Sequence, residues 1–365
     1  NTRVANVSAA GNLTVREVDN LSVNLARTFN GSVNISTSNA SDLLVYNITA
    51  NSGVTGSVTL AAGNVQVFAP GIRATGNLNL SGVGNTSVIN GTIVVANTTQ
   101  TTPVNWTINS NSTGAGSLND VLNNINNFNG TSAVNVTTPT VVNLVGQLPA
   151  IRRPMNLAGN GNLQINGAGA GATASGLILG ANGISISGIT LRNFGGAAID
   201  MLSGSTNASV SNMTVLNSAI GVRATGTQTG SVVTTSTFDG LGRANSNGAL
   251  LSGAQGLSLG LNTSSFNTFR NLTVGMTATG ASTGTNVYGN LFDTNSRYGV
   301  SLAAATNLRI GSPTDLTLRN TISGGAIGVF ASGFCTGSSV NRMNFVNFTG
   351  TKYSVAQSRN LVIVQ

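Results

Sequence analysis

The chain has 365 residues, 40% hydrophobic, 7% charged and 5% aromatic, with 47 Gly, 6 Pro and no His. A globular surface usually carries about 25–35% charged residues, so Asn, Ser and Thr must do the solvating here. Recurring short runs of Val, Ile and Leu then exclude disorder and indicate a strand-and-turn protein.

No run approaches the roughly 18 uninterrupted apolar residues of a membrane span, and no basic-then-apolar leader opens the chain. Residue 1 is Asn, which points to a processed chain or a piece of a longer one. The net charge of +8 comes from scattered arginines and Lys352, with Arg152-Arg153 the one adjacent pair. Nucleic-acid binders cluster such charge, so no nucleic acid is expected. An acidic surface polysaccharide, or an acidic neighbour in an assembly, is the partner this charge allows. Cys335 stands alone, which rules out a disulfide within the chain and reads as a small core residue.

From the start of the chain one phrase returns: GNLTV at 11–15, GSVNI at 31–35, GSVTL at 56–60, GNLNL at 76–80, and a degenerate GTIVV at 91–95. Strands such as NLSVNL at 20–25, LLVYNI at 43–48 and NVQVF at 64–68 lie between the copies. Alternation inside each phrase sends one row of side chains inward and the next outward. A coil of about 20 residues cannot bury its apolar face alone, whereas a stack of coils can. Residues 1–103 therefore read as a β-solenoid, with TTQTTP at 98–103 as a short connector.

Residues 104–365 read as a second solenoid part. It opens on a helix at about 117–128, where Ser117 is a candidate N-cap with Asp120 three positions on. Leu118, Val121, Leu122, Ile125 and Phe128 fall at helical spacing. Such a helix most simply covers the open end of a stack, since bare strand edges invite aggregation.

Beyond residue 130 the coils lengthen. Taking Ile184, Val210, Val232, Leu257, Val287, Leu308, Val340 and Leu361 as the first inward residue of each rung gives a constant coil with variable loops. A second phrase recurs as VLNSAIGVRA at 215–224, LFDTNSRYGVSLA at 291–303 and LRNTISGGAIGVFA at 318–331: an apolar strand, Asn or Asp, a short turn, then a strand often opened by Gly. Asn is depleted in strands and favoured at bends. Asn193, Asn217, Asn320 and Asn347, with Asp239 and Asp293 in equivalent slots, are therefore expected at one corner. There, amides about 4.8 Å apart bond one another as a ladder.

WTINSNSTGAGSLNDVLNNIN at 106–126 resembles the lead-in V-T-N-T-N-D-S-G-x-G-S-L-R-x-A-I-x-x-A-N of β-helix domains in large secreted bacterial surface proteins. Asn119 replaces the usual Arg, and Val121 the usual Ala. LRIGSPTDLTLRNTISGGAIGV at 308–329 resembles the I-G-G-T-x-R-N-V-I-S-G-N-x-G-V coil of the same family. The first hundred residues are similar to the repeats of filamentous-haemagglutinin-like secreted adhesins. These are scaffold residues. The resemblance implies an all-β, right-handed parallel β-helix with one short capping helix, and an extracellular, cell-surface location.

Chemistry is harder to find. Without His the commonest acid/base group and zinc ligand is missing, and nothing calls for a metal or cofactor. Glycoside hydrolysis generally needs two carboxylates about 5–10 Å apart. Asp239 and Asp293, with Arg243 and Arg297 four residues downstream, are the nearest approach to a site, and ladder membership is the plainer explanation. The Gly-rich stretches at 167–176 and 324–333 lack the Lys-Thr/Ser of a phosphate-binding loop. The sequons, such as Asn12-Leu13-Thr14, are what chance supplies in a chain this rich in Asn, Ser and Thr.

The reading is a non-catalytic extracellular structural protein, a fibre subunit or adhesin shaft. A carbohydrate-binding or polysaccharide-degrading β-helix is the competing one. Val4 and Val7 at one terminus and Leu361 and Ile363 at the other lie in strands with no cap beside them, which leads to the expectation of head-to-tail self-assembly.

Overall fold

Period-two burial runs through the chain: Leu43, Val45, Ile48 and Ala50 are fully buried while the residues between them are half-buried or exposed. Such strands cannot bury their apolar row within one coil, and the structure, a computed structural model, stacks them in parallel register as a β-solenoid. It describes residues 2–4, 7–38, 40–50, 56–81, 83–100, 102–262 and 264–364, apart from the side chains of 2–4 and 357–359. Two compact units result, one of residues 1–136 with 155–157, the other of 137–154 with 158–365.

In the first unit the repeated phrase forms one five-stranded sheet. Leu13, Val33, Val58 and Leu78 stack in strict register. The fifth rung is Thr98–Thr99, paired with Leu78–Leu80, inside the stretch expected to be a connector. The degenerate GTIVV copy lies elsewhere: its strand Thr92–Val94 pairs with Asn64–Ala74. A short likeness misleads because the coil shifts its phrase to another face while keeping the same alternation.

The α-helix is Leu118–Asn127, with Ser117 as N-cap and Phe128 as C-cap. Ser117 Oγ accepts from the Asp120 amide at 3.3 Å, while the Asp120 carboxylate accepts from the Gly116 amide at 2.9 Å, so the capping exchange runs one residue early. Leu118, Val121, Leu122, Ile125 and Phe128 are buried, and Phe128 meets the Trp106 ring edge-on at 5.7 Å. The helix packs beside Thr92–Val94, and the Asn129 amide donates to the Ala96 carbonyl at 2.6 Å. It does not end the stack: Val104–Trp106 pairs directly with Ser132–Asn135 across it in sequence. The helix shields one strand's flank.

In the second unit each full coil has three strands, for example Ser209–Ser211, Thr214–Leu216 and Ile220–Thr227. One interior column reads Ile186, Val210, Val233, Leu259, Val287, Ile310, Val340, Ile363. The rung residues chosen from sequence mix two columns: Ile184, Leu257, Leu308 and Leu361 lie two residues earlier, and Val232 points the other way. Alternation alone does not distinguish neighbouring inward positions.

On the eight-stranded sheet, volume is traded within each coil. Val222 with Ala224, Ala249 with Leu251, Met276 with Ala278, and Val300 with Leu302 occupy two adjoining columns. A small residue in one is met by a larger one in the other in three of these four coils, which keeps the interior filled.

The next column is aromatic. Phe238, Phe269 and Phe292 stack face to face with centroids 4.8 and 5.3 Å apart. Their rings lie on Gly221, Gly248 and Gly275, which are themselves stacked. A Cβ on Gly248 would sit 2.4 Å from the Gly275 carbonyl oxygen and 2.5 Å from the Phe269 ring. The glycine that often opens the second strand is thus a space requirement. Gly248→Ala is expected to destabilise the fold by about 1–3 kcal/mol through overpacking. Gly146→Ala, where a Cβ meets nothing within 4 Å, should stay within about 0.5 kcal/mol. Urea denaturation of both variants checks the contrast.

Candidate functional site

Bending a strand inside a stack leaves amides without a ladder partner, and a buried unpaired amide costs about 1–3 kcal/mol. This chain answers with side chains from the next coil. At the inner corner the Met213 amide donates to Ser236 Oγ at 3.1 Å, and the Ser236 amide to Asn267 Oδ1 at 3.1 Å. The Asn267 amide then donates to Asn290 Oδ1 at 3.2 Å and the Asn290 amide to Asn320 Oδ1 at 2.9 Å. Each Asn side-chain amide also donates to a carbonyl one coil back: Asn267 to Val233, Asn290 to Leu259 and Asn320 to Val287, each at 2.8 Å. Asn267, Asn290 and Asn320 are fully buried.

The expected corner ladder is a different column. The Asn217 amide donates to Asn193 Oδ1, Asn193 to Asn166, and Asn166 to Asn143, each at 2.9 Å. Asn193 and Asn217 have φ of 61° and 48°, the left-handed bend that Asn tolerates. Asn193 and Asn217 are therefore together as expected. Asn320 is not with them; it belongs to the buried inner column.

Asp239 and Asp293 are displaced by one residue. Their register partners are Leu216, Asp239, Arg270, Asp293 and Ser323 in succession, so both end a strand, and the bend follows them. Asn271 and Thr294 occupy the true slot, with φ of 53° and 48°. Asn347 adopts the bend at φ 50° but is exposed, and its side chain makes no ladder bond among the described residues. A Leu-Asn, a Phe-Asp and an Arg-Asn boundary look alike in sequence until the register is known.

The two carboxylates do not converge. Arg270 sits between them in register, and its Nε donates to Asp239 Oδ2 at 2.8 Å. Asp239 also accepts from the Leu241 amide at 2.9 Å and the Asn271 amide at 3.1 Å. Burial pushes the Asp239 carboxyl up, but these three hydrogen bonds and the Arg270 charge outweigh it and hold it below the ordinary value. A second pair joins Arg223 to the buried Asp200 through both carboxylate oxygens. Arg243 Nη1 donates to the Asn217 carbonyl at 2.9 Å, and Arg297 lies 4.8 Å from the Tyr298 ring centre.

A corner of the stack overhangs at this place. The bend is 217–219 in one coil and 271–273 two coils on, but the coil between carries 240–246. That loop roofs a cleft of about 640 Å³ lined by Leu241, Arg243, Asn245, Asn271, Thr273, Thr294 and Ser296, among others.

Of the end residues, Val4 falls in the strand Thr2–Val4 paired with Leu21–Val23, and its side chain lies outside the description. Val7 is half-buried beside Ala26, and Leu361 and Ile363 are half-buried, Ile363 in register with Val340. Among the described residues no helix is long and apolar enough to cross a membrane, and no three His, Cys, Asp or Glu side chains gather as for a metal. Cys335 is fully buried.

No family model, curated protein or solved structure matches this chain.

Two outcomes are expected. Asn290→Leu should cost more stability than Asn217→Leu. The first strands several buried polar partners at about 1–3 kcal/mol each, whereas the second loses one half-exposed bond and strains a left-handed residue by about 1–2 kcal/mol. Thermal melts of the two variants give the order. Asp239 is more acidic folded than unfolded, so its stabilising contribution is complete above the unfolded value of about 4. It is lost as pH falls through the lower folded value. Asp239→Asn should accordingly flatten the decline of stability below about pH 4, measured by denaturant midpoints across pH.

Proposed function

We propose that the protein is a non-catalytic extracellular structural element of the cell surface, a fibre subunit or the shaft of a large adhesin, assembling end to end. The observation that carries this reading is where the polar side chains go. The inner Asn column, the outer Asn column and both ion pairs run from coil to coil along the stack. The Asp239 carboxylate, at the foot of the 240–246 loop, is spent on Arg270 and two amides, and a group held ionised by such bonds is a poor general acid. These bonds make coils adhere to coils.

The resemblance to secreted β-helix and filamentous-haemagglutinin-like proteins supports the surface location. Low charge supports assembly, because neutral Asn, Ser and Thr faces approach without strong repulsion. Within the first unit the acidic and basic residues balance: Arg3, Arg16, Arg27 and Arg73 against Glu17, Asp19, Asp42 and Asp120.

Negative-stain electron microscopy, with light scattering at micromolar concentration, tests the assembly. Filaments or linear oligomers whose mass rises with concentration are expected. A concentration-independent monomer would remove the end-to-end claim.

A further inference from the structure

The cleft under the 240–246 loop has no part in the scaffold role, and its walls are chemically specific. The loop is built rather than slack. The Gly242 amide donates to the Asn271 carbonyl at 3.1 Å, Ser246 Oγ donates to the Arg243 carbonyl at 2.7 Å, and the Thr273 amide donates to Ser246 Oγ at 3.1 Å. Arg243 is pinned by one nitrogen to the Asn217 carbonyl, which leaves most of its five donors for a ligand. Leu241 is 61% exposed on the same loop. The rest of the lining is largely polar and neutral, with Asn245, Asn271, Thr273, Thr294 and Ser296.

An arginine, one apolar wall and a floor of neutral hydroxyls and amides together suit a sugar bearing an anion. Its C–H face meets Leu241, its hydroxyls meet the floor, and its anion meets the Arg243 guanidinium. The volume falls in the range of about 300–1,000 Å³ of ligand sites.

Charge favours the same ligand. Because the first unit's charges cancel, the whole net charge of +8 belongs to the second unit. Of the two carboxylates on the adjoining strands, Asp239 is neutralised by Arg270, and Asp293, beside the floor residue Thr294, is the opposing charge.

We propose that this cleft binds a segment of an anionic polysaccharide, bearing carboxylate or sulfate groups, with Arg243 as the anion-recognising residue and Leu241 as the apolar wall. The site lies wholly within the second unit and is tested on the single chain, so it stands or falls apart from the assembly proposed above.

Equilibrium titration of the 365-residue chain with labelled oligogalacturonate, its fully methyl-esterified neutral form, and a sulfated oligosaccharide of similar length decides it. Saturable binding of at least one anionic probe is expected, whichever of carboxylate or sulfate binds more tightly naming the anion. Leu241→Asp and Arg243→Gln, both in the 240–246 loop, should each weaken that binding about tenfold, as for loss of one contact to a charged group. Arg153→Gln, outside the cleft, should leave it unchanged. Absence of saturable binding to either anion overturns the proposal. So does equal affinity for the neutral ester, or binding that all three variants share.

Discussion

Everything in this molecule depends on satisfying the backbone where a strand turns inside a stack. Between coils the parallel ladder pairs each N–H and C=O, but a bend rotates the amide out of the ladder. A buried orphan of this kind costs more than the ladder gains from one additional bond. The chain meets the cost with the side chain of the following coil: Asn267, Asn290 and Asn320 at one corner, Ser231, Thr285 and Ser338 at another. Each accepts an amide hydrogen from the coil before. The bond forms only if the coils are in register, so the same contact that repairs the bend also aligns the stack.

Register in turn permits the rest. Once coils align, Phe238, Phe269 and Phe292 stack on one another, and each ring needs a glycine beneath it. Alignment also puts Arg270 beside Asp239, and it lets one corner carry a longer loop without disturbing its neighbours. A solenoid tolerates variation at corners because each coil touches only the next. The overhanging 240–246 loop is one such corner, and an open cleft lies beneath it.

Much of this was legible in the sequence. The all-β stacked coil, the helix at Leu118–Asn127 with its Ser117 cap, and the pairing of Asn193 with Asn217 follow from alternation, spacing and a repeated phrase. What could not be read was register. Asp239 looks like a corner residue because it follows an apolar residue at the end of a strand, yet it lies one position short of the bend. Asn320 looks like Asn217 because both follow a strand-like run. The residues ahead of Asn320 are in fact a short 3₁₀ turn, Leu316–Leu318, and its amide faces inward. Asn267 and Asn290 precede their strands and carried no phrase to mark them. The partner of Asp239 was missed for the same reason, since Arg270 is 31 residues away in sequence and adjacent only after stacking.

Native-state hydrogen exchange at single-residue resolution tests this account most directly. The amides of Met213, Ser236, Asn267 and Asn290 lie at bends, where exchange is ordinarily fast, yet each donates to a buried side chain of the next coil. They are expected to exchange as slowly as the central strand amides of Val215 and Phe238, opening only with the cooperative unit that contains them. Exchange of these four at the rate of the exposed Ala244 and Asn245 amides would contradict the claim that the side-chain column holds the coils in register.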